Sequence, residues 1–364
     1  MTEKYTLSSK MWKTLRLAEK YTGRDTHSPL TEEDINRTNR KDLPKNFRVH
    51  RIFYPETKGI SCTNYVIPVT EGAVTGRYYD SANSQTRTSL KPLIVVFHGG
   101  GWVFGNIDLY DLYCKHLAKA TDSAILLIDY RLAPKYKFPI AVEDCYDAYL
   151  WAVNGVKYWK VDPDRIFLLG DSCGGNLAAG VSLLCRDRKA HMPNGMILFS
   201  PLVDARLRTT SIEEYSDSPT LTLKQLRFFV ESYMREQKDI LSPLFSPLLS
   251  ADLSRLPDTL VIAGSLDPLK DDGKLFVDAI KESGGKAHYI EIENAIHGFI
   301  LHKKAKGSEE SDCMVRQVIS GRPIDKVQEM TESELRRENK TQMQLATAKF
   351  QKEHEERAKM QTKE

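Results

Sequence analysis

Apolar residues along the chain fall into three successive patterns. Between Ser9 and Tyr21, the residues Met11, Trp12, Leu15, Ala18 and Tyr21 recur at the spacing of one helical face, and Gly23 supplies a stop, so an amphipathic helix is predicted. From Phe47 to Phe53, through Tyr65-Val66-Ile67 and from Val74 to Tyr79, apolar and polar residues alternate, which predicts short half-exposed strands on an antiparallel edge. The pattern then becomes continuous: Leu93 to Phe97, Ala124 to Ile128, Ile166 to Leu169, Met196 to Phe199 and Leu260 to Ala263 are apolar runs separated by segments of helix length. Strands that are apolar on both faces and alternate with helices predict an α/β fold around a parallel sheet covered on both sides.

Two stretches depart from this alternation. Residues 206–237 carry Leu221, Leu223, Leu226, Phe228, Phe229 and Tyr233 between two sheet strands, a helical insertion of the kind that caps a site. Residues 306–364 carry equal numbers of acidic and basic side chains, and Thr331 and Glu334 make a capping-box start with few core-sized residues after it. This part is expected to be a charged extension, helical or partly disordered, with Leu335, Met343, Leu345 and Phe350 as a candidate surface for a protein partner.

Composition narrows the function classes. The 364 residues carry a formal charge of only +3, against the strong basic excess that nucleic-acid binding requires. Cysteines at 62, 114, 145, 173, 185 and 313 form no CxxC or CxxH pair, so neither a zinc knuckle nor a disulfide framework is indicated. No apolar run approaches the roughly 18 residues needed to cross a bilayer, and the first residues lack an apolar signal core. A soluble cytoplasmic protein is expected, with no metal or organic cofactor.

The candidate chemistry lies at strand ends. Gly170-Asp171-Ser172-Cys173-Gly174 follows one apolar run and precedes a good helix, the strand, turn and helix context that a nucleophile elbow requires; the pentapeptide without that context is a weak signal. His98-Gly99-Gly100-Gly101-Trp102 follows another strand, and three residues without side chains let backbone N–H groups reach a ligand atom, as an oxyanion hole does. The same stretch, Gly99-x-Gly101-x-x-x-Gly105 with Asp129 closing the next strand, imitates a dinucleotide fingerprint. Its third glycine is one residue late, and residues 106–111 read as loop where the phosphate-binding helix should have begun. Asp267 and His297 follow later strands, which gives the order Ser, Asp, His of α/β-hydrolase triads. Asp204, Asp271 and Asp272 are rival acids; among the histidines, His288 falls within a strand, His98 in the glycine loop and His302 beyond Phe299-Ile300-Leu301.

Together with Asp129-Tyr130-Arg131-Leu132-Ala133-Pro134, Asp267-Pro268-Leu269 and His297-Gly298-Phe299, these motifs make the chain resemble the hormone-sensitive-lipase-like family of α/β-hydrolases over roughly residues 90 to 305. The resemblance implies an eight-stranded, mostly parallel sheet flanked by helices and a helical cap. It divides the chain into an N-terminal part of the cap (1–45), a catalytic domain (46–305, with the cap insertion at about 205–240) and the extension (306–364). It assigns Ser172, Asp267 and His297 to the triad, and Gly99, Gly100, Gly101 and Cys173 to the oxyanion hole. The activity it implies is that of a serine carboxylesterase acting on short- to medium-chain acyl esters. Because the family includes plant gibberellin receptors that lack the catalytic histidine, a small-molecule receptor with the cap as lid is the alternative, and the presence of His297 favours the enzyme. A small-molecule ester is the expected partner, with a second copy of the chain and a protein docking on the extension as further candidates. Two residues depart from the family pattern: Cys173 stands where alanine is usual, raising the expectation of a narrowed pocket or oxidant sensitivity, and Lys135 stands where glutamate is usual, which puts a local ion pair in doubt.

Overall fold

The computed structural model describes residues 56–81, 90–303 and 305–327, together with Tyr5, Leu30, Ile35 and Tyr54. Eight strands form one sheet: β1 (Ile60–Val69), β2 (Gly72–Ser81), β3 (Lys91–Phe97), β4 (Ala124–Asp129), β5 (Val161–Asp171), β6 (Gly195–Phe199), β7 (Thr259–Gly264) and β8 (Ala287–Ile292). Their order is β1-β2-β4-β3-β5-β6-β7-β8. The β1–β2 and β2–β4 pairs are antiparallel and all the others parallel. The five continuous apolar runs are the five central parallel strands, and every residue of β3, β6 and β7 is buried. β1 and β2 run for ten residues each, longer than their alternating segments predict, because the pairing extends from Val69↔Gly72 at the turn to Ile60↔Ser81. The expected helix over residues 9–21 and strand over 47–53 lie outside the described residues.

The helices are α1 (Ile107–Thr121), α2 (Ile140–Trp159), α3 (Cys173–Asp187), α4 (Thr210–Glu214), α5 (Leu223–Tyr233), α6 (Lys270–Glu282) and α7 (Ser308–Ile319). Alternate residues of each central strand face opposite layers. Leu93, Val95 and Phe97 of β3 belong to the same buried layer as Ala148 of α2, Val181 of α3 and Phe276 of α6, while Ile94 and Val96 belong to the opposite layer with Leu117 of α1 and Val315 of α7. Residues 106–111, read as loop in the sequence, instead open α1: Asn106 caps the helix by accepting the N–H groups of Asp108 and Leu109, both at 3.0 Å.

The boundary expected at 305 is corrected by the packing. α7 buries Met314, Val315, Val318 and Ile319 against the sheet, and Ile324 and Val327 beyond it are buried too. The charged residues of α7, Glu309, Glu310, Asp312 and Arg316, stay at least partly exposed, and the apolar residues at helical spacing (i, i+1, i+4, i+5) carry the helix into the core. The hydrolase core therefore extends at least to residue 327, and the rest of the expected extension lies outside the described residues.

The insertion supplies α4 and α5. Thr222 and Gln225 form a capping box that starts α5, and its apolar face, Leu226, Phe229, Val230 and Tyr233, is buried on the glycine loop side of the domain. Tyr5, from the part expected to complete the cap, donates its hydroxyl to Asp217 at 2.8 Å and packs against Tyr215 of this insertion.

Candidate active site

The carboxyl ends of β3, β5, β7 and β8 point the same way, so the segments that follow them meet in one crevice. β5 ends at Asp171, and α3 begins at Cys173 with no loop between. Ser172 makes the whole turn, at φ 55° and ψ −123°, a backbone conformation that L-residues rarely hold. Its N–H donates to the Phe199 carbonyl at 2.8 Å, which fixes the turn to β6. A Cβ on Gly174 would overlap the Phe97 carbonyl, and one on Gly170 the carbonyl of Gly174, so both glycines of the pentapeptide are required by the close approach.

Asp267 follows β7 and is fully buried; it accepts the Leu269 N–H at 2.8 Å. Its oxygens lie 2.9 and 3.1 Å from His297 Nδ1. Burial works to lower the His297 pKa, but the charge and hydrogen bond of Asp267 outweigh it, with Asp171 adding to them, and the imidazole pKa rises above its ordinary 6.5. Ser172 and His297 stand on the wall of one cavity of about 360 Å³. The rival acids are engaged elsewhere: Asp204 pairs with Arg206, Asp271 accepts the Ser211 N–H, and Asp272 accepts the Thr209 hydroxyl and the N–H groups of Val203 and Asp204. His98 lies beneath the loop, stacked on Tyr130 with its Nδ1 2.9 Å from the Gly99 carbonyl, and His288 stays in β8. His302 joins the cavity wall, its pKa lowered to about 4 by burial.

Of the four expected oxyanion donors, the structure removes one. The Gly99 N–H is directed at the Tyr110 hydroxyl, 2.8 Å, and at Asp171, 3.1 Å, so it anchors the loop and is not offered to a ligand. Gly100, at φ 120°, and Gly101, at φ 63°, line the cavity; a Cβ would strike Phe104 at the first and the Phe229 ring at the second. The Cys173 N–H opens α3, at the first of the helix positions whose N–H groups have no intrahelical partner, where the helix dipole favours negative charge. The glycines thus serve a loop folded tightly against the elbow and α5, and the dinucleotide reading loses its phosphate cradle.

The Cys173 thiol does not narrow the cavity as expected. It is buried beneath the loop, where its Sγ accepts the Trp102 N–H at 3.2 Å and lies 3.7 Å from the Tyr130 hydroxyl. Burial pushes its pKa up to about 12. Tyr130 donates to the His98 carbonyl at 2.6 Å, so its ring and hydroxyl brace the same loop. At Lys135 the ammonium lies over the Tyr136 ring, and Arg131 forms its ion pair with Asp144, closest approach 2.5 Å.

Sequence patterns did not mark Tyr110. Its hydroxyl lies 2.9 Å from both oxygens of Asp171 and also meets the Gly99 N–H. It stands one helical turn past the Asn106 cap, on the buried face of α1, and a helix-period reading of 106–121 is the signal that could have found it. Burial raises Asp171 to about 6, against the lowering influence of the Tyr110 hydrogen bond and of His297. Tyr54 also lines the cavity, with its hydroxyl donated to the Ile300 carbonyl at 2.8 Å and 2.9 Å from Ser308 Oγ.

Residues 94–301 match a family profile described as the alpha/beta hydrolase fold. An arylesterase of Saccharolobus solfataricus is 36% identical over 209 residues, 57% of this chain and 68% of that protein. The carboxylic ester hydrolase LipN of Mycobacterium tuberculosis is 33% identical over 247 residues, 66% of this chain and 65% of that protein, so the match spans about two thirds of each relative. Among solved structures, the hyperthermophilic esterase from Pyrobaculum calidifontis superposes with a TM-score of 0.69 at 34% identity, covering 72% of this chain and 86% of that one. No helix among the described residues is long and apolar enough to cross a membrane. With its motifs, its strand order and these relatives in agreement, the chain belongs to the hormone-sensitive-lipase-like family of α/β-hydrolases, whose members here are carboxylic ester hydrolases.

Proposed function

We propose that the protein is a serine carboxylesterase acting on short- to medium-chain acyl esters through Ser172, His297 and Asp267. The observation that carries this reading is the pairing of a serine on a strained elbow with an Asp267-bound histidine on the wall of one cavity. Ser172 Oγ attacks the ester carbonyl while His297 Nε2 takes its proton, and Asp267 holds the Nδ1–H tautomer and stabilises the imidazolium. The N–H groups of Gly100, Gly101 and Cys173 receive the oxyanion; one such donor is worth about 3 kcal/mol of transition-state stabilisation. Collapse of the tetrahedral intermediate breaks the bond to the alcohol oxygen, which leaves with the proton from His297. Water, deprotonated by the same imidazole, then attacks the acyl-enzyme and releases the acid.

The cavity supports the size class of the substrate. Its volume of about 360 Å³ sits near the lower end of small-molecule sites. Leu109, Leu112, Tyr113 and Leu301 give it apolar lining, to which Tyr54 and, from the insertion, Leu221, Gln225 and Phe229 add. Hydrolysis of p-nitrophenyl esters from acetate to decanoate by the wild-type chain and by Ser172→Ala, with a fluorophosphonate label located by mass spectrometry, tests the reading. The expected result is turnover that peaks at short to medium chains and is lost in Ser172→Ala, with the label on Ser172. A folded wild-type protein with neither turnover nor label would overturn it.

A further inference from the structure

We propose that a cavity at the opposite end of the sheet, between the β1–β2 hairpin and the C-terminal end of α2, is a second, non-catalytic binding site for a pyranose sugar. The cavity, of about 530 Å³, is larger than the one beside Ser172 and shares no wall residue with it. It lies beside Lys160, where β3 and β5 begin, whereas Ser172 follows the other end of β5. The seven residues of β3 alone put on the order of 20 Å between the two ends.

Its chemistry comes from strand and helix periodicity. Ser61, Thr63 and Tyr65 are alternate residues of β1, and Tyr78 and Asp80 alternate on β2, so all five project to one face of the hairpin. α2 brings Trp151, Asn154, Tyr158 and Trp159 down onto that face. The result is an aromatic cluster: Trp159 is stacked on Tyr78 at 4.7 Å, and Tyr65 packs against Trp151 and Trp159 at 5.5 and 5.6 Å. Tyr158 stands at the rim 88% exposed, a large aromatic ring that the fold itself does not bury.

Charge decides among the ligands that aromatic walls can hold. A cation would find the rings favourable, but Lys160 lines the cavity, and the Asp80 carboxylate already faces the Lys91 ammonium at 3.6 Å. A purely apolar ligand would leave the Thr63 hydroxyl and the Asn154 amide facing carbon. An uncharged ring with C–H groups on its faces and hydroxyls around its edge satisfies both sets, rings against faces and polar groups against the edge, and that is the chemistry of a pyranose. This site does not depend on the chemistry of Ser172.

Saturation-transfer difference NMR on the full chain tests it, with methyl β-D-glucopyranoside and cellobiose as the sugar probes and tetramethylammonium and indole as the cationic and apolar ones. Tyr158→Ala and Asn154→Ala alter exposed side chains, so both variants should keep the wild-type Tm. The expected result is transfer to a sugar probe that weakens roughly three- to tenfold in Tyr158→Ala and also falls in Asn154→Ala, with p-nitrophenyl ester hydrolysis unchanged in both. Stronger transfer to cellobiose than to the glucoside would assign the site to a glycan chain, and equal transfer to a single sugar. Absence of transfer to both sugars, transfer indifferent to both variants, or binding of tetramethylammonium or indole in place of the sugars would overturn the proposal.

Discussion

Ser172 and His297 stand on one cavity wall but are held by different means. The serine side is made of backbone: a residue at positive φ, glycines pressed against the carbonyls of Phe97 and Gly174, and a helix that begins one residue later. Behind it lies a buried layer in which Asp171, Tyr110, Tyr130 and the Cys173 thiol tie the glycine loop to the elbow. The histidine side is made of side chains: one imidazole on one carboxylate, the latter steadied by the Leu269 N–H. A backbone device tolerates no added atom, whereas a side-chain pair can be changed without moving the chain. Damage should therefore fall mainly on folding at the first and mainly on rate at the second.

Asp267→Asn separates the two most widely. The change is isosteric and leaves the elbow untouched, yet it removes the charge that favours the imidazolium and allows the wrong tautomer. A drop in kcat of about 10⁴-fold is expected, the size seen for this substitution in other triads, with a nearly unchanged Tm. The pH profile supplies the sign. In the proposed mechanism His297 must be neutral to act as the base, so in the wild-type protein activity should fall as pH falls through a midpoint above 6.5. Removing the Asp267 charge lowers that pKa, so the acid limb of the residual activity should move to lower pH. Stopped-flow or long-time hydrolysis of a p-nitrophenyl ester across pH 5 to 9 measures both, and an acid limb that stays in place would sever the link between Asp267 and the base.

Gly174→Ala probes the opposite side. Its Cβ would meet the Phe97 carbonyl, a backbone atom in the middle of the sheet edge that cannot swing away. A destabilisation of about 3 kcal/mol or more is expected from this overlap, read as a lowered urea midpoint and poor soluble yield. Equal stability with reduced activity would show that the elbow can relax after all.

These two sides were also unequally legible in the sequence. Gly170, Ser172 and Gly174 announce themselves because a backbone constraint selects residue types at fixed spacing, and the continuous apolar runs announce the central strands for a similar reason. Asp267 and His297 could be named only by their order after strands, and Asp204, Asp271 and Asp272 competed until the contacts separated them. The resemblance offers Gly99 as a donor to the substrate, but glycine spacing says where a backbone can approach and not what it approaches; here it is Asp171 and Tyr110. Tyr110 carried no motif, and α7 was hidden because the charged composition of the whole segment after 305 masked one apolar stripe.

Tyr110→Phe asks whether the layer behind the serine acts on rate or only on stability. The substitution removes a hydroxyl placed 2.9 Å from both Asp171 oxygens and leaves the ring in place. Losing a hydrogen bond to a buried carboxylate should destabilise the fold by about 1 to 3 kcal/mol. It should also raise the Asp171 pKa beyond its present value of about 6, because the Tyr110 hydrogen bond is the largest of the influences that oppose burial. Asp171 would then be protonated over part of the neutral range, and the Gly99 anchor would weaken there. The expected signature is a kcat reduced several-fold near pH 6.5 and partly recovered near pH 8.5. A uniform loss at all pH values would make Tyr110 a packing residue with no influence on the loop.

The Cys173 thiol should have the smallest effect of the residues around the serine. In the proposed mechanism its backbone N–H, not its side chain, faces the developing oxyanion, and alanine supplies the same N–H. What Cys173→Ala removes is an acceptor 3.2 Å from the Trp102 N–H and a contact with Tyr130, for which a cost of about 1 kcal/mol and a less than threefold change in kcat are expected. The same burial that raises the thiol pKa to about 12 keeps it protonated at pH 8 and poorly nucleophilic. Treatment of the native protein with iodoacetamide should therefore modify the exposed Cys62 and spare Cys173, leaving esterase activity intact. If Cys173 were alkylated as fast as Cys62 with loss of turnover, the loop would have to open away from the elbow in solution. The backbone side of the site would then be the mobile one and the Asp267–His297 pair the fixed one.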